Sequence, residues 1–240
     1  RAFGGRVCYA DADAIDLAGW FQQSLDEIES TPIGREVVLP LLTGGLDITF
    51  VDADVSAGER AALARGFNAT QAQAVGLAFG AEQVACIQGP PGTGKTAVLA
   101  LAVRLMVERG ERVLVTSHTH MAINNALNKV AAEGVPVVKI GVPTQRKGLD
   151  AGVPCHDDFA QWQRRPGGGW VVGATPFATM TQRLEGCEFD TIVFDEASQV
   201  TLPLALMAMR KGRRFVFVGD HQQLPPVMHS RSVLDEGTMS

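Results

Sequence analysis

"QGPPGTGKTAVLALAVRLM", residues 88–106, is the stretch from which the fold can be read. Gly89, Gly94, Lys95 and Thr96 fit the pattern G-x-x-x-x-G-K-[ST], a loop whose backbone N–H groups close around phosphates. That loop works only between a strand and a helix, and both are legible: apolar "QVACIQ" (83–88) leads in and a helical stretch (95–108) leads out. The helix N-terminus adds positive potential, Lys95 reaches the terminal phosphates, and Thr96 supplies a hydroxyl for magnesium. Gly89, Pro90, Pro91, Gly92, Thr93, Gly94, Lys95 and Thr96 are therefore expected to hold a nucleotide. The loop alone does not say what work the nucleotide does.

Outward from this loop the chain alternates short β-branched runs with helical stretches. Strands are expected at 83–88, 112–117, 136–141, 169–175, 190–195 and 214–220, with helices at 95–108, 121–133, 176–184 and 201–211. The strands are continuously apolar, so a parallel sheet with helices on both faces is predicted, an α/β P-loop NTPase. Before the loop, Ile15, Ala18, Phe21, Leu25 and Ile28 recur at helical spacing over 11–29. A short segment with a glycine stop follows, and "LDITFVD" (46–52) has the composition of a strand. Residues 143–169 are polar and end in glycines, which predicts a surface excursion between two strands.

The 240 residues suffice for one large domain and carry a net charge of −5, which argues against a dedicated DNA-binding module with a basic footprint. Two basic clusters do occur, at 163–166 and 210–214, and each also suits a solvated loop or a helix end. Cys8, Cys86, Cys155 and Cys187 make no CxxC pair, so neither a zinc ribbon nor a disulfide framework is indicated. No membrane span or secretory leader is legible, and a cytoplasmic location is expected.

Two further stretches carry chemistry. In "TIVFDEASQ" four apolar residues deliver Asp195 to the C-terminal end of a buried strand, where ligands of parallel sheets gather. Asp195 can hold magnesium there, and Glu196 can take a proton from an attacking water. In "FVFVGDHQQLPP" another buried strand brings Gly219, Asp220 and Gln223 to the same edge, where Gln223 could sense the γ-phosphate.

Taken in order, "GFNATQAQAV", "GPPGTGKT", "VLVTSHTHMAINNAL", "VVGAT", "DEASQ" and "GDHQQLPP" resemble the motifs of superfamily 1 helicases, most closely the Upf1/Dna2-like branch, over residues 66–228. The resemblance implies a RecA-like first motor domain, 1A, using ATP and Mg2+ and contacting single-stranded DNA or RNA with 5′ to 3′ movement. It implies that Gln71 reads the adenine, that Lys95, Glu196 and Gln223 act on the phosphates, and that Thr96 and Asp195 hold the metal. Ser117, Thr119 and Thr175 fall in strand-contacting motifs, although such hydroxyls also cap helices. Asn124 stands where the family often has an acidic residue, and His118 and His120 replace the commoner proline and asparagine.

The family also needs a second RecA-like domain that supplies arginines to the transferred phosphoryl group. Residues 66–240 are thus expected to be domain 1A of a longer helicase, slow in hydrolysis alone, with 1–65 a partly helical leading segment. Two rivals remain open here: an AAA+-like protein remodeller, and a nucleotide-dependent clamp on nucleic acid. Gln71 with "GDHQQLPP" speaks against the first, and a catalytic base at Glu196 against the second.

Overall fold

The computed structural model describes residues 18–163 and 167–222, together with the backbone of two short paired strands, β1 (Ala2–Phe3) and β2 (Arg6–Val7). Seven further strands form one parallel sheet. They are β3 (Val84–Gln88), β4 (Arg112–Thr116), β5 (Val137–Ile140), β6 (Cys155–His156), β7 (Trp170–Gly173), β8 (Thr191–Asp195) and β9 (Arg214–Gly219). Their order is β3-β9-β8-β4-β7-β5-β6, so the strand entering the glycine loop lies beside β9 and the strand bearing Asp195 comes next.

Alternation along each strand divides the core in two. Val113 and Val115 of β4 face one layer and Leu114 the other, and all three are fully buried. The first layer is α4 (Ala69–Gly80), α5 (Lys95–Glu108) and α6 (His120–Ala132), with α3 (Asp52–Leu63) packed on α4. The second holds α1 (Ala18–Ser30), α2 (Leu39–Thr43), α7 (Leu202–Met209) and the segment between β7 and β8. Each buried Val, Leu or Phe contributes roughly 1.5–3 kcal/mol, so a sheet covered on both faces is anchored many times over. The predicted α/β fold, RecA-like with helices on both faces, is the observed one.

Four local expectations differ. Residues 176–184 form two 3-10 turns, Pro176–Met180 and Gln182–Leu184, because Thr179 turns its hydroxyl to the carbonyls of Pro176 (2.6 Å) and Met207 (2.7 Å) and Thr181 adopts extended backbone. Residues 46–52 contribute only the bridge Phe50–Ala81, since Asp52 already begins α3. The excursion 143–169 is not confined to the surface: Val153, Phe159 and Trp162 are buried, and Cys155–His156 pairs with β5 as a seventh strand. Phe159 and Trp162 meet Trp170 at ring-centroid distances of 5.1 and 6.1 Å, an aromatic cluster that pulls the loop inward. Finally, α3 has no counterpart among the expected helices, because it packs through small residues. A Cβ on Gly58 would come within 2.9 Å of the Gly76 Cα, so two helix backbones nearly touch there.

The beginnings of the strands are tied by charge. Arg214, buried at the start of β9, pairs with Glu111 and donates to Thr191 Oγ1 (2.8 Å) and to the carbonyls of Phe79 (3.2 Å) and Ala81 (3.1 Å). Arg112 pairs with Asp190 at 3.1 Å, and Arg109 reaches Asp54 of α3 at 2.5 Å while lying 4.3 Å above the Phe79 ring. No helix among the described residues is long and apolar enough to cross a membrane.

Candidate functional site

The glycine loop leaves β3 and turns into α5 through Gly92 and Gly94, whose φ angles are 81° and 82°. At Gly94 a side chain would also collide, since a Cβ would lie 2.8 Å from Gln71 Nε2. Lys95 folds back over the loop: its ammonium donates to the carbonyls of Gly89 and of Pro90, the latter at 3.0 Å. Thr93 Oγ1 donates to the same Pro90 carbonyl at 2.7 Å. Lys95 is thus held on carbonyl oxygens of the glycine loop itself.

Around this loop a cavity of about 500 Å³ is lined by Pro91, Gly92, Gly94, Lys95, Thr96, Asp195, Glu196, Gly219 and Asp220. The predicted phosphate and metal residues therefore converge at the C-terminal edge of β3, β8 and β9. Asp195 is buried there, and its carboxyl is pushed up to about 6, first by burial and then by the charge of Glu196, against the Glu196 N–H and Lys95. The Glu196 N–H donates to Asp195 Oδ1 at 3.1 Å. Glu196 itself has φ 52°, the one positive value at a non-glycine among the described residues. Left-handed backbone there costs roughly 1–3 kcal/mol, strain of the kind that clusters at functional sites. It turns the half-exposed carboxylate toward His118, whose Nδ1 is 3.9 Å from Glu196 Oε2.

Gln71 lies on α4 and not in the cavity lining. Its side-chain Nε2 donates to the Thr93 carbonyl (3.0 Å) and its Oε1 accepts from the Asn68 N–H (3.1 Å), while its backbone N–H donates to Asn68 Oδ1 (2.9 Å). A capping box thus aims the predicted adenine reader at the loop. Gln223 lies outside the described residues. Its neighbours Gly219 and Asp220 reach the expected edge, with Gly89 N–H donating to the Gly219 carbonyl at 3.1 Å.

The three hydroxyls predicted to meet a nucleic-acid strand separate. Thr119 is the N-cap of α6, accepting from Ala122 N–H at 3.2 Å, and Thr175 is buried before Pro176. Both line a second cavity of about 510 Å³, together with His118 and His120. Ser117 is buried, does not line it, and its Oγ has no partner among the described residues. Burial, with Lys139 and Arg183 nearby, pushes His120 down to about 4. Asn124, the departure from the family pattern, pins the loop after β5 by donating its amide to the carbonyls of Gln145 (2.9 Å) and Lys147 (3.0 Å).

Sequence reasoning gave no role to Lys139. It sits on β5 with no exposure, its ammonium has no partner among the described residues, and burial pushes it down to about 8. A lone lysine within an apolar strand carries no signal for such a position.

The family model described as "AAA domain" matches residues 66–235. The DNA replication ATP-dependent helicase/nuclease DNA2 of Saccharomyces cerevisiae is 36% identical over 170 residues, covering 67% of this chain and 11% of that protein. The protein of the same name in Homo sapiens is 32% identical over 180 residues, 71% of this chain and 17% of that one. Among solved structures, the complex of Arterivirus nonstructural protein 10 (helicase) with DNA aligns at a TM-score of 0.42 and 24% identity, over 70% of this chain and 35% of that one. The chain therefore spans only a small part of the curated relatives. With its glycine loop, its Asp195–Glu196 pair and its parallel sheet, the chain belongs to this AAA-domain family and, within it, to the Upf1/Dna2-like branch of the superfamily 1 helicases.

Proposed function

We propose that residues 66–240 act as the first motor domain, 1A, of an ATP-dependent helicase that moves along single-stranded nucleic acid, with 1–65 as a leading segment. The observation that carries this reading is the convergence of the loop, Thr96, Asp195, Glu196 and Asp220 on one cavity at the strand ends.

On binding ATP, the loop's N–H groups and the α5 N-terminus hold the phosphates, and Lys95 leaves the Gly89 and Pro90 carbonyls for the terminal phosphate oxygens. Gln71, aimed by its cap, meets the adenine edge. A hydroxyl and a buried carboxylate are hard oxygen donors of the kind Mg2+ takes, so Thr96 and Asp195 fit as its protein ligands. Held there, Mg2+ would neutralise charge on the phosphates. Glu196 orients a water and takes its proton; its carboxylate is free to do so because His118, the side chain it faces, stands beyond hydrogen-bond distance. Arginines from a second domain complete the charge stabilisation, a contribution of ~10³ or more in rate. Gln223 is kept in this reading as the sensor of the γ-phosphate.

The relatives are named as DNA replication helicase/nucleases, which favours DNA as the track and leaves the protein-remodelling reading without support. A cytoplasmic-type, reducing setting belongs to the same reading, supported by Cys86 and Cys155, which form no disulfide among the described residues. The test is ATP turnover by the full-length protein with and without single-stranded DNA and RNA at one stated salt concentration. Strong stimulation by a strand is expected, and turnover indifferent to both polymers would sink the proposal.

A further inference from the structure

The leading segment enters the molecule through α1, and the position of α1 is tightly determined. Arg210, at the end of α7 and nearly buried, pairs with Glu27 of α1, donates to the Thr179 carbonyl, and lies 3.1 Å from Met180 Sδ. Ser24 of α1, with no exposure, donates to the Trp20 carbonyl at 2.7 Å and contacts Met180 Sδ at 3.5 Å. These contacts clamp α1 against the turn Pro176–Met180. The consequence is that Trp20 meets Phe177 with ring centroids 6.1 Å apart and planes inclined by 56°.

This aromatic pair opens onto the second cavity, that of Thr119 and Thr175, and its other walls are unusual for an acidic chain. No carboxylate lines it among the described residues. Arg183 lies in its wall, with one N–H on the Asp157 carbonyl (2.9 Å) and no ion pair among the described residues. His118 and His120 also line it, and the buried Nδ1 of each has no hydrogen-bond partner among the described residues. A volume of about 510 Å³ admits a single nucleotide. Aromatic faces beside a cation and hydroxyls are what a single strand requires: the base stacks, the phosphate meets the guanidinium, and no base identity is read. With centroids 6.1 Å apart the rings already touch, so a base stacks on the outer face of the pair and does not slide between them.

We infer that Trp20 of the leading segment and Phe177 form a base-stacking platform for one nucleotide of the single strand, with Arg183 taking the adjoining phosphate. This rests on the helicase reading above and makes α1 part of the grip on the strand. It also predicts a division of labour that binding data can separate, because stacking is insensitive to salt and a phosphate contact is not.

The experiment measures binding of the full-length protein to an oligothymidylate and to an abasic strand of equal length, over a range of salt concentrations. For the native protein the abasic strand should bind more weakly. Trp20→Ala should weaken oligothymidylate binding by about 5- to 150-fold, the range of one lost base stack, with the salt slope unchanged and the preference over the abasic strand reduced. Trp20→Phe should restore most of the affinity, which a merely structural defect in α1 would not single out. Arg183→Ala should lower the salt slope by about one and keep the base preference. Native binding with Trp20→Ala and Arg183→Ala both indistinguishable from wild type would overturn the platform alone. A wild-type protein that binds neither strand would overturn the helicase reading and the platform with it.

Discussion

Where the strands of the sheet begin, Arg214, Glu111, Thr191, Arg112 and Asp190 satisfy one another; where they end, Thr116, Ser117 and His118 hold buried polar atoms with no hydrogen-bond partner among the described residues. The same sheet therefore carries two different finishes. At the first end, desolvated charges are matched by ions and carbonyls, which is what lets a guanidinium stay under the strands. At the second, Asp195 is driven toward its protonated form and Glu196 is held at positive φ. Groups left unsatisfied in this way are stabilised once a ligand arrives, so the end that weakens the free protein is the end that can bind.

That contrast can be broken by substitution, starting with the largest effect. Glu196→Gln keeps size and removes the base; ATP turnover in a steady-state assay should fall by about 10²–10⁴-fold while nucleotide binding and the thermal midpoint hold. Loss of binding itself would show that the residue has another role. At the opposite end Arg214→Met removes the buried guanidinium shared by Glu111, Thr191 and the carbonyls of Phe79 and Ala81, leaving Glu111 to Arg109 and Thr191, and urea unfolding should register a loss of about 3–5 kcal/mol, with nucleotide affinity little changed.

Lys139 sharpens the comparison from within β5. Its folded-state value near 8 lies below the usual 10.5, so between those pH values the unfolded chain holds the proton more tightly and stability rises with pH. Lys139→Met should therefore stabilise the fold by about 3 kcal/mol at pH 7, and the advantage should disappear above pH 10.5, a profile readable from unfolding curves at several pH values. The smallest effect is expected at Asn68→Ala, which removes one half of the capping box. A loss of about 1 kcal/mol in stability should accompany weaker ATP binding in calorimetry, because Gln71 is then less well aimed.

Much of the nucleotide end was legible from residue order alone. Gly92 and Gly94 take left-handed backbone that other residues resist, and the continuously apolar strands can only be buried on both faces, so loop, strands and Asp195–Glu196 could be placed before any contact was known. Elsewhere the pattern misled. Residues 176–184 read as a helix between two strands, yet the Thr179 hydroxyl is held by the carbonyl of Met207, 28 residues further along the chain, and the segment coils into 3-10 turns instead. Helix α3 escaped notice because Gly58 and Gly76 bury backbone, and no hydrophobic stripe marks a helix that packs in this way.

The amino-acid order determined the chemistry at the strand ends, because a phosphate loop and an acidic pair after a buried strand depend on neighbours within a few residues. Only the tertiary structure decided that Lys139 is buried without a hydrogen-bond partner among the described residues, that His118 stands 3.9 Å from Glu196, and that Trp20 meets Phe177. Each of those depends on side chains brought together by packing across the sheet, through anchors such as Arg210 on Glu27 that local spacing does not encode.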